Sequence, residues 1–193
     1  MGVRAVFLVG FMGSGKSSVG QELAQRWRWD FVDLDARIES REQCSIPKLF
    51  QEKGEPAFRQ AETAALRDLL DSLKRDAVVA LGGGAFAQAQ NRELLRFWPS
   101  VFLDAPVDEL WQRSLRDPGQ RPLRKDRNQF ARLYAERLSS YREATVTIQT
   151  SGKGSVAICT EIEWALHLGE GSEDGGVAPP AVPASNSGTG ELQ

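Results

Sequence analysis

Eight consecutive residues, Gly10-Phe11-Met12-Gly13-Ser14-Gly15-Lys16-Ser17, satisfy the pattern G-x-x-x-x-G-K-[ST] at every specified position. Glycines allow backbone conformations that turn successive N–H groups inward, onto phosphate oxygens. A helix N-terminus starting at the same place adds partial positive charge. Lys16 can then reach the β- and γ-phosphates, and the Ser17 hydroxyl can ligate Mg²⁺. The alternative is a glycine-rich turn that binds nothing. A strand pattern before the loop and a helix pattern after it favour the nucleotide. The loop does not say whether the phosphoryl acceptor is water, a nucleotide or a metabolite.

Residues for an acceptor follow downstream. Phe31-Val32-Asp33-Leu34-Asp35 ends a short apolar run. Alternation along a strand puts Asp33 and Asp35 on one face. One carboxylate would hold magnesium water there, and the other would accept hydrogen bonds from an acceptor hydroxyl. Either could instead N-cap a helix around 37–40. Gly54-Glu55-Pro56-Ala57-Phe58-Arg59 leads into a helix, with Arg59 at a position that equally suits a solvated side chain. Gly82-Gly83-Gly84 closes an apolar run and either bares backbone to a ligand or makes a tight turn. Arg113, Arg116, Arg121, Arg124 and Arg127 crowd a segment containing Pro118, Gly119 and Pro122. Taken singly, each reads as a surface charge. Together they suit a lid over a triphosphate, at about 112–126, that keeps water from the transferring group. Arg137 lies in the C-terminal half of a later helix, where a cation is also favourable on its own.

These residues need a scaffold, and the hydrophobic pattern supplies one. Apolar runs at 3–9, 31–34, 77–81, 101–103 and 144–148 read as strands. Between them come helical periodicities: Val19, Leu23 and Trp27; Leu66, Leu69, Leu70 and Leu73; the segment 107–115 after Pro106; and Phe130, Leu133, Tyr134, Leu138 and Tyr141. Val156, Cys159, Ile162 and Leu166 mark a closing helix. Strand–helix alternation of this kind implies a parallel sheet covered on both faces, with ligands at the carboxyl ends of its strands.

Composition sets the limits. The chain has 193 residues, 24 Lys+Arg against 26 Asp+Glu, and a net charge of −2, which argues against a nucleic-acid binder relying on bulk charge. No apolar run approaches the roughly 18 residues that span a bilayer, and the N-terminus lacks the pattern of a signal peptide. A cytoplasmic protein is expected, without membrane or nucleic-acid partners. Cys44 and Cys159 make neither a disulfide scaffold nor a four-Cys zinc site. The single histidine, His167, leaves no material for a histidine triad. Residues 169–193 are rich in Gly, Pro and Ser with unbalanced acids, so they are expected to form a disordered tail. The remaining 1–168 is mildly basic, which suits a small anionic ligand.

In order along the chain stand G-x-x-G-x-G-K-S, F-x-D-x-D, G-E-x-x-F-R, G-G-G, R-P-L and a later R-x-x-x-Y. This combination resembles shikimate kinase, over about 3–168. The loop alone is generic to P-loop kinases; the acidic strand end, the Phe-Arg motif and the triple glycine are specific. The resemblance implies an α/β P-loop kinase, a three-layer sandwich around a five-stranded parallel sheet in order 2-3-1-4-5. It implies ATP-dependent phosphorylation of the 3-hydroxyl of shikimate, in chorismate and aromatic amino-acid biosynthesis, with Mg²⁺, by a monomer. It places Asp35 on the shikimate hydroxyls, Arg59 and Arg137 on its carboxylate, and Gly82, Gly83 and Gly84 against it. It assigns Gly13, Ser14, Gly15, Lys16, Ser17 and Ser18 to ATP, with Arg121 on the phosphates, Arg116 near adenine and Lys153 in the adenine loop. Ser17 and Asp33 would serve the metal, and Lys16, Asp35 and Arg121 the chemistry. The rival readings are another small-molecule P-loop kinase, acting on gluconate or a nucleoside monophosphate, and a non-catalytic nucleotide-binding regulator.

Overall fold

The computed structural model describes residues 4–116 and 126–166. Arg121, Arg124, His167, most of the expected lid and the 169–193 tail lie outside the described residues. Five parallel strands form one sheet: β1 (Ala5–Val9), β2 (Asp30–Asp33), β3 (Ala77–Ala80), β4 (Ser100–Asp104) and β5 (Val146–Gln149), in the order β2-β3-β1-β4-β5. The central strand β1 is AVFLV and buried throughout, as a strand covered on both faces should be. Phe7 pairs with Val79 of β3 and with Ser100 of β4.

Strand pleating divides β1 between two cores. Ala5, Phe7 and Val9 join one with Phe11, Leu34, Leu66, Leu110, Phe130 and Tyr141. Phe11 follows β1, and the other partners come from α2 (Leu34–Glu42), α3 (Ile46–Ser72), α5 (Val107–Leu115) and α6 (Arg127–Tyr141). Val6 and Leu8 join the other with Val19, Leu23, Ile158 and Ile162, from α1 (Lys16–Trp27) and α7 (Ser155–Ala165). The result is the expected three-layer sandwich. A short 3₁₀ turn (Ala85–Ala87) and α4 (Ala89–Leu95) complete it. No helix among the described residues is long and apolar enough to cross a membrane.

Two local features differ from the sequence pattern. The run 31–34 does not end as a strand at Leu34, because Leu34 already opens α2. Asp33 stays extended (φ −97°, ψ 119°) and its Oδ1 accepts from the N–H groups of Asp35 (2.9 Å) and Ala36 (3.3 Å). That is an N-cap, satisfying donors left free in a first helical turn. Asp35 therefore sits in a helix, and the argument that strand alternation aligns the two carboxylates does not hold. The second feature is the kink in α3. Gly54 takes φ 78°, ψ 173°, with Pro56 two residues on. Proline offers no N–H and crowds the turn before it, so the helix breaks and restarts. The restart puts Glu55, Arg59 and Glu62 on one face, at i, i+4 and i+7.

Candidate active site

The phosphate loop joins β1 to α1 at the carboxyl edge of the sheet. Gly10, Gly13 and Gly15 all take positive φ, at 146°, 80° and 92°. Space matters as much as conformation at Gly13: a Cβ there would stand 2.5 Å from the Leu110 carbonyl oxygen and 3.1 Å from the Ser114 nitrogen. The loop is thus packed directly on α5. Gly15 precedes α1 and has no side chain to cap it, so no N-cap side chain competes for the N–H groups of the first turn, Lys16, Ser17 and Ser18. The Lys16 ammonium donates to the carbonyls of Gly10 (2.9 Å) and Phe11 (3.0 Å), which holds it across the loop. Ser14 is buried beneath, 3.4 Å from the Lys16 Nζ.

Asp33 has two jobs on its two oxygens. While Oδ1 caps α2, Oδ2 accepts from the Ser17 hydroxyl at 3.3 Å. The pair offers one hydroxyl and one carboxylate oxygen, both hard donors. Among the described residues no group of three or more His, Cys, Asp or Glu is arranged to hold a metal. That composition fits Mg²⁺, which takes few protein ligands and fills its octahedron with water and substrate phosphates.

Across the cleft the glycine triplet acts through missing side chains. None of residues 82–84 has a positive φ. A Cβ on Gly84 would run into the Arg59 guanidinium, and one on Gly82 into Asp35 Oδ1. At Gly83 a Cβ would lie 3.7 Å from the Met12 nitrogen, in ordinary contact with the phosphate loop. The triplet therefore threads between the loop on one side and Asp35 and Arg59 on the other. Residues 82–85 do form a turn, closed by the Ala85 N–H on the Gly82 carbonyl (3.0 Å), but that turn needs no positive φ, so glycine is required here for space.

Arg59 donates from Nε and Nη2 to Glu55 Oε1 (3.1 and 2.9 Å) and from Nη1 to Glu62 Oε2 (2.8 Å). Arg137 is only 8% exposed and donates to the Gly83 carbonyl at 2.9 Å; the Tyr141 hydroxyl donates to the same carbonyl. Its guanidinium also lies 5.8 Å from the ring centroid of Phe11, a residue of the phosphate loop. Two arginines, from α3 and α6, thus meet the triplet from different sides, next to Asp35.

Glu62, which sequence reasoning passed over, is the most buried acid in this group, at 0% exposure. Burial pushes its carboxyl up to about 7; Asp35 adds to the rise, while Arg59 and Arg137 oppose it. Burial likewise raises the Tyr141 hydroxyl, to about 12. The local signal was the Arg59–Glu62 spacing, one helical turn, in an otherwise apolar stretch. Arg113 is the second residue that gains weight. It donates to the Thr150 carbonyl and hydroxyl (both 3.1 Å) and to Glu109 (2.5 Å). Thr150 in turn donates from its N–H to the Asp104 carbonyl (2.7 Å). Arg113 so ties α5, beneath the phosphate loop, to the turn after β5. Arg116 ends α5 at an exposed position, and Lys153 pairs with Glu161 at 2.7 Å.

A Walker-type loop, a five-stranded parallel sheet in this order and an arginine-lined cleft beside the loop define a P-loop kinase of small molecules. The sequence pattern of the shikimate kinase family matches residues 12–166. The shikimate kinase of Geobacter metallireducens is 44% identical over 164 residues, covering 83% of this chain and 90% of the relative. That of Persephonella marina is 37% identical over 161 residues, covering 83% and 97%. The solved structure of the Acinetobacter baumannii shikimate kinase in complex with shikimate aligns with a TM-score of 0.80 at 33% identity, covering 88% of this chain and 96% of that one. The chain belongs to the shikimate kinase family.

Proposed function

We propose that this enzyme transfers the γ-phosphoryl group of ATP to the 3-hydroxyl of shikimate, giving shikimate 3-phosphate and ADP, on the route to chorismate and the aromatic amino acids. The observation that carries this reading is the convergence of Arg59 and Arg137 on residues 82–84, beside Asp35 and against the phosphate loop. Two guanidiniums offer planar donor forks to one carboxylate. Asp35 then faces the ring hydroxyls of an acceptor held by that carboxylate.

Phosphoryl transfer demands position and charge compensation more than covalent chemistry. Gly13, Ser14, Gly15, Lys16, Ser17 and Ser18 hold the ATP phosphates. Lys16 leaves the loop carbonyls for phosphate oxygens and neutralises charge on the moving group. Asp35 orients the attacking hydroxyl and accepts its proton as the new P–O bond forms. Arg121, outside the described residues, serves the same phosphates. Arg116 and Lys153 flank the nucleotide base in this reading, and Arg113 braces the two segments that carry them. Ser17 and Asp33 would hold Mg²⁺, which when bound would offset negative charge on the ATP phosphates. A monomer in the cytoplasm, a compartment that suits an ATP-driven step on a small metabolite, completes this reading.

An assay coupled to ADP release, run with shikimate, gluconate and nucleoside monophosphates, tests the proposal. Turnover with shikimate should exceed the others by orders of magnitude. Preference for gluconate or a nucleotide would reassign the acceptor.

A further inference from the structure

Glu62 is an acid in a place that penalises its charge. Its Oε2 accepts from Arg59 Nη1 at 2.8 Å and from the Gln88 amide at 2.7 Å. Its Oε1 is fully buried and has no hydrogen-bond partner. Asp35 shares the same small space: a Cβ on Gly82 would clash with Asp35 Oδ1 and stand 3.0 Å from Glu62 Oε1. Two carboxylates facing one point resist being ionised together. The compensating cations are already divided. Arg59 also serves Glu55, and Arg137 donates to the Gly83 carbonyl. Tyr141 is a further neighbour; its hydroxyl donates to that same carbonyl and stays neutral at physiological pH.

An acceptor carboxylate on Arg59 and Arg137 adds a third negative charge and uses up the cations that offset the second. A neutral Glu62 relieves this and gains what the ionised form lacks, a donor at Oε1. We propose that Glu62 takes up a proton from solvent as the acceptor's carboxylate settles on Arg59 and Arg137, and that its Oε1–H then donates to Asp35, fixing the carboxylate that faces the acceptor hydroxyl. Glu62 is in this sense a positioning residue acting through Asp35. The proton returns to solvent when product leaves, so the overall reaction is unchanged. The substrate-free balance point near neutrality fits this role, because above about pH 7 the proton is mostly absent before binding and held after it.

This inference rests on the carboxylate clamp proposed above. The test is titration calorimetry of shikimate into the full chain at about pH 8, in buffers of different ionisation enthalpy. The wild type should take up close to one proton per shikimate, and its affinity should fall by up to about tenfold per pH unit above neutrality. Glu62→Gln keeps an acceptor toward Arg59 and Gln88 and puts a permanent donor near Asp35. It should bind shikimate with no proton uptake and a flat pH profile. Binding without uptake in the wild type, or equal uptake in Glu62→Gln, would overturn the proposal. The wild-type titration decides even if the variant does not fold. Arg59→Ala, run alongside, separates the premises: retained shikimate affinity there would remove the clamp itself, whereas lost affinity with no wild-type uptake removes only the role of Glu62.

Discussion

On the proposed nucleotide side, consecutive residues from the end of β1 into the first turn of α1 carry the backbone N–H groups, the Lys16 ammonium and the Ser17 hydroxyl. On the proposed acceptor side, Asp35 comes from α2, Arg59 and Glu62 from α3, the glycines from the end of β3, and Arg137 from α6. The first half is local and built largely from backbone. The second is a network of charges whose members set one another's state. Change in the loop should therefore act on one function, while change in the network should spread. That contrast gives a series of ways to break the molecule selectively.

The largest effect is expected at Lys16. Its ammonium donates to the carbonyls of Gly10 and Phe11 and to the Ser14 hydroxyl, all three in the phosphate loop. Lys16→Ala should lower kcat by at least about 10²–10³-fold, the usual loss when a group that stabilises transition-state charge is removed. The thermal midpoint should stay close to that of the wild type, and a large drop would show that the side chain holds the fold.

On the acceptor side, Gly84→Ala should act at a distance from any charge change. The added methyl meets the Arg59 guanidinium, and forcing such contacts typically costs about 1–3 kcal/mol. The KM for shikimate should rise about tenfold or more with ADP affinity unchanged. Gly83→Ala, which meets nothing closer than 3.7 Å, should be milder in steady-state kinetics. Equal effects at the two positions would refute the spatial account of the triplet.

Asp33 belongs to both halves, so it sharpens the comparison. Asp33→Asn keeps an oxygen for the α2 cap but removes the charge beside Ser17. Stability should hold within about 0.5 kcal/mol, since Asn and Asp cap almost equally well. The magnesium concentration needed for half-maximal rate should rise. Loss of stability without a magnesium effect would leave Asp33 a cap only.

The last effect concerns stability and pH rather than turnover. Glu62 holds its proton up to about pH 7 in the folded chain, well above the ordinary carboxylate range. The folded state thus binds a proton that the unfolded chain has already lost. Its contribution is fully present below about pH 4.5 and falls away as pH rises to about 7, on the order of 3 kcal/mol in total. Urea denaturation at about pH 5 and pH 8 should show wild-type stability decreasing over this interval, and Glu62→Gln should flatten the decrease. An unchanged slope would assign the titration to another group.

The same contrast explains what could be read from residues alone. The phosphate loop was legible because all its chemistry lies in one string, flanked by a strand and a helix. The helix Val107–Leu115 was legible at both ends, bounded by Pro106 and by a loss of periodicity. The start of α2 was not, because it depends on how Asp33 uses one oxygen. The first limb of α3 places Ile46, Leu49 and Phe50 at i, i+3 and i+4 but spans only about two turns before Gly54, and the seven-residue α4 is mostly polar, so neither is long enough to establish a period. Arg59 and Arg137 could be named only through their resemblance to a family pattern, since nothing local brings α3 to α6. Glu62 was hidden for the same reason. Its burial depends on Gly82 lacking a Cβ and on arginines from two helices.

The central claim is that acceptor and nucleotide are held by separate sets of residues. Titration calorimetry of Arg59→Ala and Arg137→Ala, with shikimate and with ADP and Mg²⁺ in separate experiments, tests it most directly. Each loss removes hydrogen bonds to a charged ligand group, worth about 1.5–3 kcal/mol apiece. Shikimate affinity should fall by roughly 10²-fold in either variant while ADP affinity stays within about twofold. If Arg59→Ala lost ADP and kept shikimate, the acceptor would sit elsewhere and the assignment of the two halves would be wrong.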